Sequence, residues 1–182
     1  MLNGGRSLSE WIDQGFAHRG WLLSLRPVEA RLNAAVAERM FPPVRAQEWQ
    51  EAIAMEFEGR CLCGAVRYRA AGPLRDVIAC HCTQCRRQSG HFSAMTSVPL
   101  DRFWLDHDSA LAWYRSSHSA ERGFCRVCGS NLFWKPATEP RISIAAGTID
   151  GPTGVKIAEH IFCANKGDYY EIADGRPQRM QS

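Results

Sequence analysis

The chain has 182 residues and is 45% hydrophobic, which is enough for one globular domain with a core and excludes global disorder. Its formal net charge of +3 is too small to indicate nucleic acid or an acidic membrane surface as a partner. No apolar run approaches the ~18 residues of a membrane span or forms a signal-peptide core. With acidic residues early in the chain, this composition predicts a cytoplasmic protein, in a compartment that keeps thiols reduced.

The first part of the chain, residues 1–54, contains no cysteine and no strand alternation. It is predicted to be a helical extension or leader without an assigned function. A helix is expected over residues 27–40, where apolar side chains recur at every fourth position, and a shorter one over residues 49–55. The domain that carries the chemistry is therefore predicted to cover residues 55–182.

From residue 55 onward, short alternating segments separated by Gly and Pro turns predict a mainly β domain in which any helix is short. The predicted strands lie over residues 66–69, 92–98, 111–114, 131–134, 141–145 and 156–162.

Seven of the eight cysteines are interpreted as metal ligands, because they fall in three clusters. The clusters are a C-x-C-G pair at Cys61 and Cys63, a C-x-C-x-x-C triplet that begins at Cys80, and a C-x-x-C-G knuckle at Cys125 and Cys128. Disulfides are disfavoured in a reducing compartment, and a bond between cysteines one residue apart would be strained. A thioredoxin-like C-x-x-C is discounted, since the surroundings do not form a βαβ pattern.

The pair and the knuckle are predicted to form one closed structural zinc site with Cys61, Cys63, Cys125 and Cys128 as its tetrahedral ligands. In both segments a glycine follows the second cysteine, and a positive φ there would turn backbone N–H groups toward the sulfurs. Four thiolates leave zinc with a local charge of about −2, which nearby cationic side chains could offset. The candidates for this role are Arg60, Arg122 and Arg126.

The triplet Cys80, Cys82 and Cys85 supplies three ligands and leaves a fourth position open, which is typical of a catalytic zinc. Three thiolates weaken the Lewis acidity of the ion, so it favours a deprotonated soft ligand, and thiol chemistry fits better than hydrolysis. Arg86 and Arg87 follow directly and are predicted to bind a carboxylate of the ligand. Seven thiolates and two zinc ions would bring the net charge of +3 to zero, which suits a small-molecule site.

The triplet could instead be closed, with Cys163 or a histidine as its fourth ligand. His81 is the nearest imidazole, but it lies between two ligands and is expected to point away from the metal. Cys163 is most simply interpreted as a small buried apolar residue.

Short segments in a fixed order link the sequence to a known family. They are residues 59–66, 80–87, 90, 123–130, 144–150 and 159–162. Through them the sequence resembles the glutathione-dependent formaldehyde-activating enzyme family, which includes the domain of centromere protein V, over residues 57–177. The family usually carries a tryptophan where Tyr169 stands and a leucine where Arg176 stands.

The resemblance implies a zinc-stabilised β-tent, expected here to consist of short antiparallel strands, with a four-cysteine structural zinc and a three-cysteine active zinc. The family's named activity joins glutathione to formaldehyde and gives S-hydroxymethylglutathione. Its reverse breaks a carbon–sulfur bond, so the expected class is carbon–sulfur lyase. His160 is the expected proton donor to the oxyanion, although a structural histidine on a strand is equally compatible with the pattern.

Two other functions stay open at this point. One is a non-catalytic glutathione-binding module, and the other is a zinc-stabilised protein-interaction module, which would need a basic or exposed apolar surface beyond the zinc sites. The expected partners are a small thiol such as glutathione and an aldehyde, with no nucleic acid and no membrane.

Overall fold

The computed structural model describes residues 55–181 and the short strand Arg6–Ser7 (β1). The strands that follow β1 are β2 (Glu56–Arg60), β3 (Arg67–Ala71), β4 (Val77–Cys80), β5 (Ser93–Pro99), β6 (Phe103–His107), β7 (Leu111–Ser117), β8 (Ala120–Cys125), β9 (Asn131–Pro136), β10 (Arg141–Ala145) and β11 (Ile157–Ile161). The helix α1 (Thr83–Ser89) lies between β4 and β5, and 3-10 turns form at Leu100–Arg102, Ala146–Thr148 and Cys163–Asn165. Apart from Met55, the helices predicted over residues 27–40 and 49–55 lie outside the described residues, as does the predicted domain boundary after residue 54.

The strands form two sheets, with the order β1-β6-β3-β2 in one and β11-β4-β5-β10-β9-β8-β7 in the other. Neighbouring strands run antiparallel, except that β11 lies parallel to β4. A parallel pair needs a long connection between its strands, and here most of the second sheet lies between them in the chain. The prediction of a mainly β domain is confirmed, and one parallel pair adds to the expected antiparallel strands. Within the described residues, no helix has the length and apolarity to cross a bilayer.

The six segments predicted as strands correspond to β3, β5, β7, β9, β10 and β11, with end shifts of a few residues. The sequence pattern does not predict the strands β2, β4, β6 and β8. In β2 the reason is visible, because Phe57 and Gly59 occupy its two buried positions and glycine hides the apolar alternation.

The core lies between the two sheets. Tyr68 and Phe103 from the first sheet meet Phe133 from the second, and the three ring centroids lie 5.1 to 5.6 Å apart. Phe133 meets both other rings edge to face, and such contacts add to the stabilisation from burial of the rings. Further buried side chains around them are Val66, Val98, Leu132, Ile142 and Ile144.

Gly59 is the point where β2 passes over the Tyr68 ring. A Cβ atom at this position would lie 2.2 Å from the ring and hydroxyl of Tyr68. The absence of a side chain lets Tyr68 lie across β2 and share a 2.7 Å hydrogen bond with the Thr148 hydroxyl.

Substitution Gly59→Ala is expected to displace Tyr68 from the core and to lower the free energy of unfolding by about 1–3 kcal/mol. Urea unfolding of the zinc-loaded chain measures this change. Gly147→Ala is the matched control, because a Cβ atom there meets no atom within 4 Å. Equal unfolding midpoints for the two variants would contradict the packing argument.

Candidate functional site

The first site is a group of four cysteine sulfurs that joins the two sheets. Cys61 and Cys63 follow the end of β2, Cys125 ends β8, and Cys128 follows in the next turn. The four Sγ atoms all lie within 4.8 Å of one another. The Sγ atoms of Cys61 and Cys63 are 3.5 Å apart, and those of Cys63 and Cys125 are 3.8 Å apart. A tetrahedral ion with ~2.3 Å bonds to sulfur needs sulfurs ~3.8 Å apart, so the group fits a metal such as zinc.

The backbone around these sulfurs has the expected turn geometry. Gly64 and Gly129 have φ values of 75° and 77°, which confirms the prediction of positive φ after each pair of cysteines. The N–H of Gly64 donates to the Cys61 carbonyl at 3.0 Å, and the N–H of Gly129 donates to the Cys125 carbonyl at 2.8 Å. The N–H of Val66 donates to Cys61 Sγ at 3.3 Å, so backbone dipoles stabilise negative charge on this sulfur.

The second site is a group of three cysteine sulfurs at the junction of β4 and α1. Cys80 ends β4, Cys82 caps the N-terminus of α1, and Cys85 lies in the first turn of the helix. Cys82 Sγ accepts a hydrogen bond from the Cys85 N–H at 3.3 Å, which is the usual contact of an N-cap side chain. The three Sγ atoms lie within 4.8 Å of one another. Cys85 is buried, whereas Cys80 and Cys82 are half-exposed, so solvent reaches one side of the group.

None of the eight cysteines forms a disulfide. Cys163 is buried and belongs to neither sulfur group within the described residues, as expected for a small apolar core residue. Burial raises the pKa of its thiol. Two groups of free, converging sulfurs could hold two metal ions.

In the three-cysteine group, two thiols compete for one proton. A hydrogen bond from the Cys80 thiol lowers the pKa of Cys85 to about 5, and Arg122 contributes in the same direction. The same hydrogen bond raises the pKa of Cys80. A bound divalent cation would take the place of this proton, since metals bind the thiolate form.

Beside this group lies a row of four hydrogen-bonded side chains, here called the histidine row: Tyr170, His81, His160 and Asp174. The Tyr170 hydroxyl bonds to Nδ1 of His81. Nε2 of His81 lies 2.8 Å from Nδ1 of His160, and Nε2 of His160 lies 2.9 Å from a carboxylate oxygen of Asp174. Both histidines are buried, whereas the Asp174 side chain is 40% exposed. The row therefore runs from the half-buried Tyr170 through the interior to the surface.

The row has one consistent direction of hydrogen bonding. Burial, assisted by the nearby His160, lowers the pKa of His81 to about 4, so its ring is neutral at pH 7. The Asp174 carboxylate accepts from Nε2–H of His160, and with one proton on each ring Nδ1 of His160 accepts from Nε2–H of His81. Nδ1 of His81 then accepts from the Tyr170 hydroxyl. As expected, His81 points away from the sulfurs, because both of its nitrogens are engaged elsewhere.

The remaining predicted site residues have distinct surroundings. His160 lies on β11 with both ring nitrogens bonded inside the histidine row. Arg87 is exposed on α1, whereas Arg86 is half-buried, and its Nε has no hydrogen-bond partner within the described residues.

The three arginines expected to offset the charge of the four-cysteine group have hydrogen-bond or ion-pair partners outside that group. Arg60 pairs with Asp150 at 3.2 Å, and Arg126 donates to the Ser109 carbonyl. The expectation for Arg122 is wrong, because its side chain extends from β8 to α1 and donates to Cys85 Sγ of the three-cysteine group at 3.4 Å. Sequence reasoning also missed Tyr170 and Asp174. No local signal identifies them, since 89 residues separate Tyr170 from its partner His81.

Comparison with known proteins assigns the family. Residues 56–165 match the family model described as glutathione-dependent formaldehyde-activating enzyme. The chain belongs to this family. An uncharacterized lyase of Schizosaccharomyces pombe is 28% identical to it over 121 residues, covering 65% of this chain and 87% of the relative. A Halomonas elongata protein, provisionally named as a glutathione-dependent formaldehyde-activating enzyme, is 27% identical over 138 residues, covering 69% of this chain and 86% of the relative.

Among solved structures, the crystal structure of a Rhodobacter sphaeroides protein is 24% identical. The superposition covers 52% of this chain and 89% of the Rhodobacter sphaeroides chain, with a TM-score of 0.45. The assignment to the glutathione-dependent formaldehyde-activating enzyme family therefore rests on the sequence match.

With one proton on each imidazole ring, His81 and His160 are expected to be single Nε2–H tautomers, because the Asp174 carboxylate accepts from Nε2–H of His160 and thereby fixes the direction of the row. Ring ¹⁵N chemical shifts measure the tautomer of each histidine. Asp174→Ala removes the acceptor and is expected to give a mixture of tautomers at His160. The exposed His107 and His118 are the internal controls and should not change. An Nδ1–H tautomer at His81 in the unmodified chain would contradict the arrangement.

Proposed function

We propose that this protein is a zinc-dependent carbon–sulfur lyase that interconverts S-hydroxymethylglutathione with glutathione and formaldehyde. The observation that carries the proposal is the partly exposed three-cysteine group, which stands apart from the four-cysteine group and is flanked by cationic side chains. The family name and the lyase name of one relative agree with a reaction at this group. Free thiolates of this kind suit a reducing compartment, so we also place the protein in the cytoplasm.

Zinc is the proposed metal for both groups, with two ions per chain. Sets of cysteine sulfurs favour zinc among the common divalent ions, and four of them close the coordination shell of a structural site. At the three-cysteine group of Cys80, Cys82 and Cys85, zinc would supply an open position that favours a deprotonated thiol.

Arg86 and Arg87 are the proposed binding residues for glutathione. Both follow Cys85 on α1, and glutathione carries two carboxylates that guanidinium groups bind in a bidentate manner. The unpartnered Nε of Arg86 leaves a donor available for such a contact. This arrangement would bring the glutathione thiol toward the sulfur group.

The reaction needs one proton to move. The glutathione thiol loses its proton, its sulfur bonds to the aldehyde carbon, and the carbonyl oxygen becomes an oxyanion that must be protonated. His160 is the proposed source, but both of its nitrogens are bonded within the histidine row. We therefore assign the contact with the oxyanion to the Tyr170 hydroxyl, at the end of the row. Its O–H would turn from Nδ1 of His81 to the oxyanion and give up its proton, and the proton lost by the glutathione thiol would restore the hydroxyl. His160 and Asp174 would act behind it by holding His81 in position.

Exchange NMR spectroscopy on glutathione and formaldehyde tests the proposed activity. The zinc-loaded chain is expected to accelerate interconversion of the adduct above its spontaneous rate. Cys82→Ser should reduce this acceleration at least about a hundredfold, because it removes one ligand of the active zinc. Cys163→Ala is the matched control and should keep the full rate. Saturable glutathione binding without acceleration would leave a non-catalytic binding module, and no binding at all would favour a protein-interaction module.

Elemental analysis tests the proposed metal sites. We expect two zinc ions in the unmodified chain and one in Cys82→Ser, which should stay folded because the four-cysteine group, the core and the Cys85 sulfur beside Arg122 remain. Cys125→Ser is expected to unfold the domain, since a structural zinc contributes directly to folding. A chain that contains no metal as purified would exclude both sites, and a chain that stays folded without metal after exhaustive chelation would contradict the structural role of the four-cysteine site.

A further inference from the structure

Arg122 connects the strand of one sulfur group to the sulfurs of the other. It lies in β8, three residues before Cys125, and its side chain is 7% exposed. Its Nη2 atom lies 3.4 Å from Cys85 Sγ and 3.1 Å from the side-chain oxygen of Gln84, both on α1. The side chain thus ends at the buried sulfur of the three-cysteine group.

A buried guanidinium needs an anion nearby. Arginine keeps its proton in proteins, and an uncompensated buried charge is strongly destabilising. Within the described residues, Arg122 makes no ion pair with a carboxylate, and the neighbouring Glu121 pairs with Lys135 at 3.2 Å. The Nε atom of Arg122 is also buried without a hydrogen-bond partner among these residues. The anion that compensates Arg122 is therefore the thiolate group around Cys85.

The charge balance of the group depends on this arginine. Three thiolates with one divalent cation carry a net charge of about −1, and Arg122 brings the total to about zero. An incoming thiolate then joins a neutral group instead of an anionic one. Because Coulomb energies are large at short range in a site of reduced dielectric, this difference favours an anionic ligand over a neutral one.

We propose that Arg122 is the positioning residue that lets the three-cysteine group accept an anionic sulfur ligand, and that it sets the preference of the site for thiolates over neutral donors. This inference rests on the proposed function, whose substrate is a thiol. It assigns the selection of the thiol to a buried cation on β8, apart from the arginines on α1 that bind the carboxylates.

A purely structural role for Arg122 has to be distinguished from the proposed one, because the side chain also links α1 to the second sheet through its hydrogen bonds to Gln84 and Cys85. Asn131 does the same without a sulfur contact, since its Nδ2 donates to the Gln88 carbonyl at 2.9 Å. Asn131→Ala therefore controls for a lost contact between helix and sheet. Arg115→Gln controls for the change in net charge, because Arg115 is exposed on β7 and donates to the His118 carbonyl.

The experiment compares three probes by calorimetric titration of the zinc-loaded full chain: glutathione, 2-mercaptoethanol and imidazole. Arg122→Gln is expected to lower the affinity for both thiols at least about tenfold and to leave the affinity for imidazole unchanged. Arg122→Lys should restore part of the thiol affinity, and both controls should match the unmodified chain. An equal loss of affinity for all three probes, or the same loss of thiol affinity in Asn131→Ala, would show that Arg122 has only a structural role and would overturn the proposal.

The probes separate this inference from the proposed function. If the unmodified chain binds 2-mercaptoethanol but not glutathione, and Arg122→Gln weakens that binding, then Arg122 has the proposed role and the glutathione reaction is wrong. If both thiols bind equally well with and without Arg122, the inference is overturned while the proposed reaction stands. Failure of the unmodified chain to bind either thiol would overturn both.

Discussion

Sulfur atoms from distant parts of the chain converge in the four-cysteine group, and the relation between the two sheets depends on this contact. Cys61 and Cys63 extend from the edge strand β2 of the first sheet, whereas Cys125 ends β8 of the second. Four thiolates this close repel one another strongly unless a cation lies between them. A metal ion here would turn that repulsion into a cross-link and contribute its binding free energy to folding. The aromatic core beside it then needs to supply only part of the stability of a small domain.

The three-cysteine group has a different support. Its ligands come from one short stretch, so the local turn and the cap of α1 bring the sulfurs together. More distant segments supply its surroundings: β8 contributes the charge of Arg122, and β11 and the C-terminal segment contribute the histidine row. The same strand β8 carries Cys125 of the first group. A metal ion in the four-cysteine group would therefore also hold in place the cation that faces the second group.

The sequence allowed both sulfur groups to be predicted in full, because metal-ligand spacing is a local pattern and C-x-x-C turns constrain their own geometry. Strands with regular alternation were also predictable, whereas β2 was not, since its buried Gly59 carries no apolar signal. The histidine row was beyond reach, because 79 residues separate His81 from His160 and no local pattern pairs them. The prediction that Arg122 lies beside the four-cysteine group was wrong for a similar reason. Arg122 is close to Cys125 in sequence, but side chains alternate between the two faces of a strand, so this closeness does not show which group the side chain contacts.

The same difference in sequence separation accounts for the different exposure of the two cysteine groups. Two turns that approach from separate sheets can surround an ion on opposite sides, and Cys61 and Cys63 are placed in this way toward Cys125 and Cys128. A single turn that leads into a helix covers an ion on one side only, so the group of Cys80, Cys82 and Cys85 keeps a face toward solvent. A fourth protein ligand would have to come from a distant segment. Of the two alternatives that the sequence left open, His81 uses both nitrogens within the histidine row and Cys163 lies outside the group. The exposed face of the group thus follows from the connectivity of the chain.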